Sequence, residues 1–273
     1  MARVLRGASQ WPDMAERAPE HRPCQFAPPR RSEDCVLTVL RDMYNTAWRA
    51  PEAFRMEYAA ATEYVVSLIN LAVQLEPSAA LGSSLGSGAA RGEQENALHF
   101  AAGCGCIEAC DLLLRWNASL NFQQDARGQT PLSWAARHGM ARVCELLLLK
   151  GADPLHADIE GRLPLHVAAA RGHSRICELL VSVQSVRGAV DSLCDSGHSA
   201  LHLAAACGSE AACQGLVVAG ANVFMRTSVD NKTPLHLAAL SGSAAAAAYL
   251  ASVSPLEVLL VGDASGASAL QLA

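Results

Sequence analysis

Aromatic residues are scarce in this chain, 5% of its 273 residues, and charged residues make up only 17%. A core with so few rings has to be built from Ala, Leu and Val, side chains small enough for helices to approach closely. Long unbroken apolar runs are also missing. The best candidate, residues 244–261, is interrupted by Pro255 and Glu257, so it fits a helix of a folded domain and not a membrane span. The N-terminus lacks an apolar signal core, and Asp13, Glu16 and Glu20 do not suit a transit peptide. These absences point to a reducing compartment, the cytoplasm with the nucleus as a second possibility. The 10 cysteines then read as thiols, not as a disulfide framework. A net charge of −5 argues against generic binding to phosphate backbones, so no nucleic-acid partner is expected. Neither a specific glycine-rich phosphate loop nor a Gly-x-Ser-x-Gly elbow is present. No cofactor and no enzymatic activity are expected.

What is present is self-similarity. Thr130-Pro131-Leu132-Ser133-Trp134-Ala135-Ala136 returns as Leu163-Pro164-Leu165-His166-Val167-Ala168-Ala169. It returns again from Ser199 to Ala205 and from Thr233 to Ala239, with a degenerate earlier copy from Asn96 to Ala102. A partial copy runs from Ser268 to Ala273. The aligned leucines are Leu98, Leu132, Leu165, Leu201, Leu235 and Leu270. Thr-Pro suits the first turn of a helix. Gly105, Gly139, Gly172, Gly208 and Gly242 follow at one offset and can end that helix. A leucine-rich second helix comes next, and turn glycines Gly128, Gly161, Gly197 and Gly266, or Asn231 in one copy, stand upstream of each motif. A unit of turn, helix, turn, helix cannot bury its own apolar face, so the units must stack into an all-α solenoid.

On these residues, from about Arg91 onward, the chain resembles the ankyrin repeat family, whose signature is a period of 33 with Thr-Pro-Leu-His-x-Ala. The resemblance implies an ankyrin-type helix-turn-helix repeat domain over 93–273, with an incomplete last repeat. Two departures stand out. The third copy carries extra residues within Val181 to Arg187, which predicts a bulging loop or an added helical turn. The last copy stops before a second helix, which leaves apolar surface in need of a cap.

The N-terminal third divides differently. Residues 1–31 are rich in Arg and Pro and read as disordered. Residues 32–76 read as a helical hairpin, in which Phe54, Tyr58, Ala61, Val65, Leu68, Ala72 and Leu75 form one apolar seam. The hairpin packs on itself or caps the first repeat, or else serves as a dimerisation helix; oligomeric state stays open. Residues 77–92, rich in Gly, Ser and Ala, read as a flexible linker.

Two columns of reactive residues need a reading. His99, His166, His202 and His236 share one repeat position. Repeats stand about 10 Å apart, too far for side chains at one offset to share a zinc ion at ~2.1 Å. The resemblance implies instead that each His hydrogen-bonds the turn backbone. Cys110, Cys144, Cys177 and Cys213 fall in the second helices, where buried Cys acts as a small hydrophobe. Cys104, Cys106 and Cys110 near His99 form the most metal-like group, but they lack a second spaced pair, and no metal is expected.

Function should then sit on the concave face, lined by turns and first helices. The positions there without core duties are Arg127, Gln129, Arg137, His138, Glu160, Arg162, Arg171, Ser196, His198, Asp230 and Lys232. The resemblance implies that such positions contact a protein partner. Arg127, Arg137, Arg162, Arg171 and Lys232 outnumber Glu160 and Asp230, which suits a partner with acidic residues, such as an extended peptide. The expected role is a protein-protein interaction scaffold or adaptor. The alternative is the substrate-recruiting part of an enzyme or ubiquitin-ligase assembly whose catalytic module lies elsewhere.

Overall fold

The computed structural model describes residues 96–255 and 259–272, and places Arg41, Asn45 and Val66 in helix. The segments read as disordered (1–31), hairpin (32–76) and linker (77–92) otherwise lie outside the described residues.

Five helix pairs and part of a sixth repeat follow in order. Repeat 1 holds α1 (Ala97–Cys104) and α2 (Ile107–Trp116), followed by a 3₁₀ turn at Ala118–Phe122. Repeat 2 holds α3 (Pro131–Arg137) and α4 (Ala141–Leu149). Repeat 3 holds α5 (Pro164–Ala170), α6 (Ser174–Ser182) and an additional α7 (Gln184–Gly188). Repeat 4 holds α8 (Ala200–Cys207) and α9 (Glu210–Val218), and repeat 5 holds α10 (Pro234–Leu240) and α11 (Ala244–Val253). The short α12 (Ala269–Leu272) opens the sixth.

Local chemistry explains the starts and stops. Pro131, Pro164 and Pro234 occupy first helical positions, where a missing N–H costs nothing. The Asn96 side chain caps α1 by accepting from His99 N at 3.0 Å. Gly139 ends the first helix of repeat 2 at φ 79, and a Cβ there would meet His173 Cε1 at 2.9 Å. Asn231 takes the same left-handed region at φ 53 where the other turns use glycine.

First helices stack on first helices, α1–α3–α5–α8–α10–α12, and second helices on second helices, α2–α4–α6–α9–α11. The close approach is made by the alanine pairs, from Ala101 and Ala102 to Ala238 and Ala239, all buried. Leu98, Leu132, Leu165, Leu201 and Leu235 form a buried column beside them. In the second helices Cys110, Cys144, Cys177 and Cys213 are fully buried, each followed one turn later by Leu113, Leu147, Leu180 or Leu216. Each buried leucine contributes about 2 kcal/mol of apolar burial. The extra residues of repeat 3 form the added turn α7, anchored by the buried Val186. At the other end Leu270, the counterpart of the leucine column, is 81% exposed.

Candidate functional site

The first helices α3, α5, α8 and α10 are each preceded by a tight turn closed by backbone hydrogen bonds. Asp125 N donates to Gln129 O at 2.9 Å, Asp158 N to Arg162 O at 3.0 Å, Cys194 N to His198 O at 3.0 Å and Thr227 N to Lys232 O at 2.9 Å. Neighbouring turns are joined edge to edge. Ile159 N donates to Arg127 O at 3.0 Å, Asp195 N to Glu160 O at 3.0 Å and Ala264 N to Asp230 O at 2.9 Å. These bonds hold the backbones of Arg127, Glu160 and Asp230 while their side chains remain exposed, as does that of Ser196.

Two turn residues overlooked by the sequence reading hold this edge together. Asp125 Oδ1 accepts from Arg127 N and Gln129 N, both at 2.8 Å, and its Oδ2 accepts the Trp134 indole N–H at 2.8 Å. Asp158 Oδ1 accepts from Glu160 N and Arg162 N at 3.0 and 2.9 Å. Burial would raise the Asp158 pKa, but donors from Gln129, Arg162 and the turn backbone outweigh it and hold the carboxyl below its ordinary value. The signal available in sequence was an aspartate three residues before a turn glycine, at Asp125, Asp158 and Asp263.

These aspartates change the expected surface. Gln129 is 0% exposed. Its Nε2 donates to Asp158 Oδ2 at 3.0 Å, tying the turn of repeat 2 to that of repeat 3. It is therefore a core residue of the edge and not a contact position. Arg162 is half-buried and committed as well. Its Nε and Nη2 donate to Asp158 Oδ2 at 3.0 and 2.9 Å, and its Nη1 lies 2.9 Å from Glu160 Oε2. Lys232 Nζ pairs with Asp230 Oδ2 at 3.2 Å. Internal pairing thus removes much of the anticipated excess of positive charge. Among the described residues Arg127 and Arg171 make no ion pair, and both are exposed.

The remaining positions lie at helix ends. Arg137 and His138 close α3 and are half-buried. The His138 ring meets Trp134 edge-on at 6.1 Å, and His173 Nε2 bonds the Arg137 carbonyl at 3.1 Å. Burial, reinforced by the charges of Arg137 and Arg171 and by His173, lowers the His138 pKa to about 4. It is a neutral ring at physiological pH. In repeat 4 the His198 Nδ1 lies 3.0 Å from Ser196 Oγ, and its ring meets His202 at 6.0 Å.

The histidine column is structural at both ring nitrogens. Nδ1 of His99, His166, His202 and His236 accepts the N–H of Asn96, Leu163, Ser199 and Thr233 at 3.1 to 3.2 Å. Nε2 then donates to the next repeat, to Gln129 O at 2.9 Å, Ser192 O at 2.9 Å, Lys232 O at 3.1 Å and Ala267 O at 3.3 Å. His166 reaches Ser192, whereas the others reach the residue just before a helix cap. The added helix α7 lies between His166 and its acceptor. The cysteine column is equally inert. Burial pushes Cys144, Cys177 and Cys213 up to about 12 and Cys110 well above its ordinary value.

Comparison with known proteins agrees with this geometry. A family model described as "Ankyrin repeats (3 copies)" matches residues 58–158 and 147–227, more than half of the chain. Three curated relatives, the proteins named "ARF GTPase-activating protein GIT1" from Homo sapiens, Mus musculus and Rattus norvegicus, are each 40% identical over 62 residues. That stretch is 23% of this chain and 8% of theirs, so the similarity spans a small part of those proteins. With helix pairs in register, the structural His present in four repeats and the family pattern matched across most of the described repeats, the chain belongs to the ankyrin repeat family.

Proposed function

We propose that this chain is a protein-binding scaffold or adaptor whose partner lies along the joined turns and the adjoining ends of the first helices. Ankyrin repeats are general protein-interaction modules, and the observation that carries the reading is the hydrogen-bonded edge. Arg127, Glu160 and Asp230 project from backbones that are each bonded to the following turn, so little ordering is left there for a partner to impose. Arg127 and Arg171 supply exposed cationic contacts for acidic side chains, flanked by Arg137, His138 and His198. Arg162 and Lys232 present their outer faces while paired with Asp158 and Asp230. The buried thiols and the absence, among the described residues, of a helix long and apolar enough to cross a membrane are compatible with action in the cytoplasm.

A second reading places these repeats as the recruiting part of a larger assembly with an enzymatic module. The observation that favours it is the match to relatives named as GTPase-activating proteins. One experiment addresses both readings. The full chain is used to capture proteins from a cell extract, the partner is identified by mass spectrometry, and capture is repeated with Arg127→Glu/Arg171→Glu. Loss of one specific partner on reversal supports the surface, and undiminished capture of every partner overturns it. Enzymatic activity in the captured complex, and not in the chain, would favour the second reading.

A further inference from the structure

The row formed by the ends of the first helices changes chemistry along the stack. The two residues ahead of each helix-ending glycine are cationic or titratable in repeats 2 and 3, where Arg137, His138 and Arg171 stand. The charges of Arg137 and Arg171 both bear on the His138 ring, so the three are neighbours. None of α3, α5, α8 and α10 contains Asp or Glu. Arg171 is exposed and makes no ion pair among the described residues.

Repeats 4 and 5 are different. Their first helices, α8 and α10, contain no Lys or Arg either. Leu240 is 50% exposed, and Leu237, one turn earlier on the same helix face, is half-buried. Leu203 repeats the Leu237 position in repeat 4 and is half-buried too. Their counterparts towards the cationic end, Val167 and Trp134, are buried. An aliphatic patch is therefore open at one end of the row only.

The two ends are joined by a low floor. Ala206 and Cys207 lie between Arg171 and Leu240 and are both small and exposed. A Cβ on Gly172, beside Arg171, would stand 3.2 Å from Cys207 Sγ, and Ser241 Oγ, beside Leu240, donates to Ala205 O at 3.3 Å. The row thus runs without a break from repeat 3 to repeat 5. It is about two residues wide on each helix, which suits an extended chain better than a helix of ~10 Å diameter.

We propose that this row binds an extended peptide that sets an acidic residue on Arg171 and an aliphatic residue on Leu237 and Leu240. The proposal rests on the reading of the chain as a protein-binding scaffold and names the chemistry of the partner. Pairing of a carboxylate with the guanidinium fixes orientation, and the aliphatic anchor buries the exposed leucine. The spacing follows from the stack. Arg171 and Leu240 are two repeats apart, about 20 Å at ~10 Å per repeat. An extended chain rises ~3.3 Å per residue, so the two anchors stand about six residues apart. A helix, rising ~1.5 Å, would need about thirteen.

The test selects random peptides of about sixteen residues, displayed on phage, against the full chain. Enriched sequences should carry Asp or Glu about six positions from Leu, Ile or Val, in one fixed order. A synthetic peptide from that pool should lose about tenfold in affinity, read by fluorescence anisotropy, on Arg171→Glu and on Leu240→Ser. Ala206→Trp, which fills the floor, should weaken it as much. Leu149→Ser, at an exposed leucine of a second helix, should leave affinity unchanged, and circular dichroism reports the fold of each variant. Replacing either anchor in the peptide, with the protein unaltered, should cost the same tenfold. Enrichment that lacks either anchor, a spacing near thirteen, or binding indifferent to Leu240→Ser and Ala206→Trp overturns the proposal. So does the absence of any enriched peptide, and the scaffold reading then still stands or falls by capture of a partner from extract.

Discussion

The Trp134 indole N–H donates to the buried carboxylate of Asp125 at 2.8 Å, tying the first helix of repeat 2 to the turn that precedes it. The same carboxylate accepts two turn N–H groups. Trp134→Phe removes one donor and leaves Asp125 Oδ2 without it, a loss of about 1–2 kcal/mol. Asp125→Ala strands three donors and should cost about 3 kcal/mol. Urea unfolding followed by circular dichroism checks both, and the order of the two variants matters more than either value. If Asp125→Ala proves as stable as wild type, the turn carboxylate does not hold the edge.

Acid should weaken the stack before it reaches the carboxylates. Burial lowers the pKa of His99 and His202 from 6.5 to about 4. A histidine held below its ordinary value binds fewer protons folded than unfolded. Stability is therefore full above pH 6.5 and falls as pH drops from 6.5 towards 4. At pH 5 the loss should be about 2 kcal/mol for each of these two residues. Asp158, whose pKa is lowered, contributes stability that is lost only at more acidic pH, below its ordinary value of 3.8. Urea midpoints at pH 7.5 and pH 5 provide the comparison, and an unchanged midpoint would contradict the assignment of neutral, doubly bonded rings.

The thiols should divide into two classes. Cys207 is exposed, whereas Cys110, Cys144, Cys177 and Cys213 are fully buried. Their raised pKa values leave almost no thiolate at neutral pH. Brief alkylation of the native protein with peptide mapping should label Cys207 and spare the other four, which should react fully in urea. Labelling of the column in the native state would mean that the helix pairs open far more readily than their packing suggests.

Much of this was legible in the sequence, for a physical reason. Repetition multiplies weak signals, so the leucine column, the helix-ending glycines, the structural histidines and the buried cysteines all followed from one offset. The extra residues of repeat 3 were visible by subtraction and form α7. The sequence was weaker on the surface. A repeat offset places a backbone but does not say where a long polar side chain turns. Gln129 and Arg162 both bend to Asp158, so a glutamine expected at the surface is buried and an arginine expected to meet a partner is already paired.

Among the described repeats, the sixth should be the least stable part of this chain. Leu270 occupies the position that Leu98, Leu132, Leu165, Leu201 and Leu235 fill in the core, but it is 81% exposed. The stability of a stacked repeat comes largely from its neighbours. Amides near Leu270 and Leu272 should exchange orders of magnitude faster than those near Leu147, since local opening free energies range from about zero to the global value. Hydrogen exchange with mass spectrometry resolves the two regions. Equal protection would mean that the last described helix is held by more than its contact with α10.

The partner surface leads to a prediction about charge. Arg127 and Arg171 are exposed and make no ion pair among the described residues, unlike Arg162 and Lys232. Arg127→Glu/Arg171→Glu should therefore weaken binding to an acidic partner by at least ~1.4 kcal/mol, a tenfold rise in Kd. Folding should be nearly unaffected, since exposed charges away from caps change stability by about 0.5 kcal/mol or less. Reversing Lys232 alone should do less, because Asp230 already screens it at 3.2 Å. The penalty of the double reversal should also shrink as salt rises, because screening weakens the wild-type contact. Titration calorimetry at low and high salt, with unfolding curves on the same samples, separates these effects. If the double variant keeps full affinity at low salt while remaining folded, charge on this face does not select the partner.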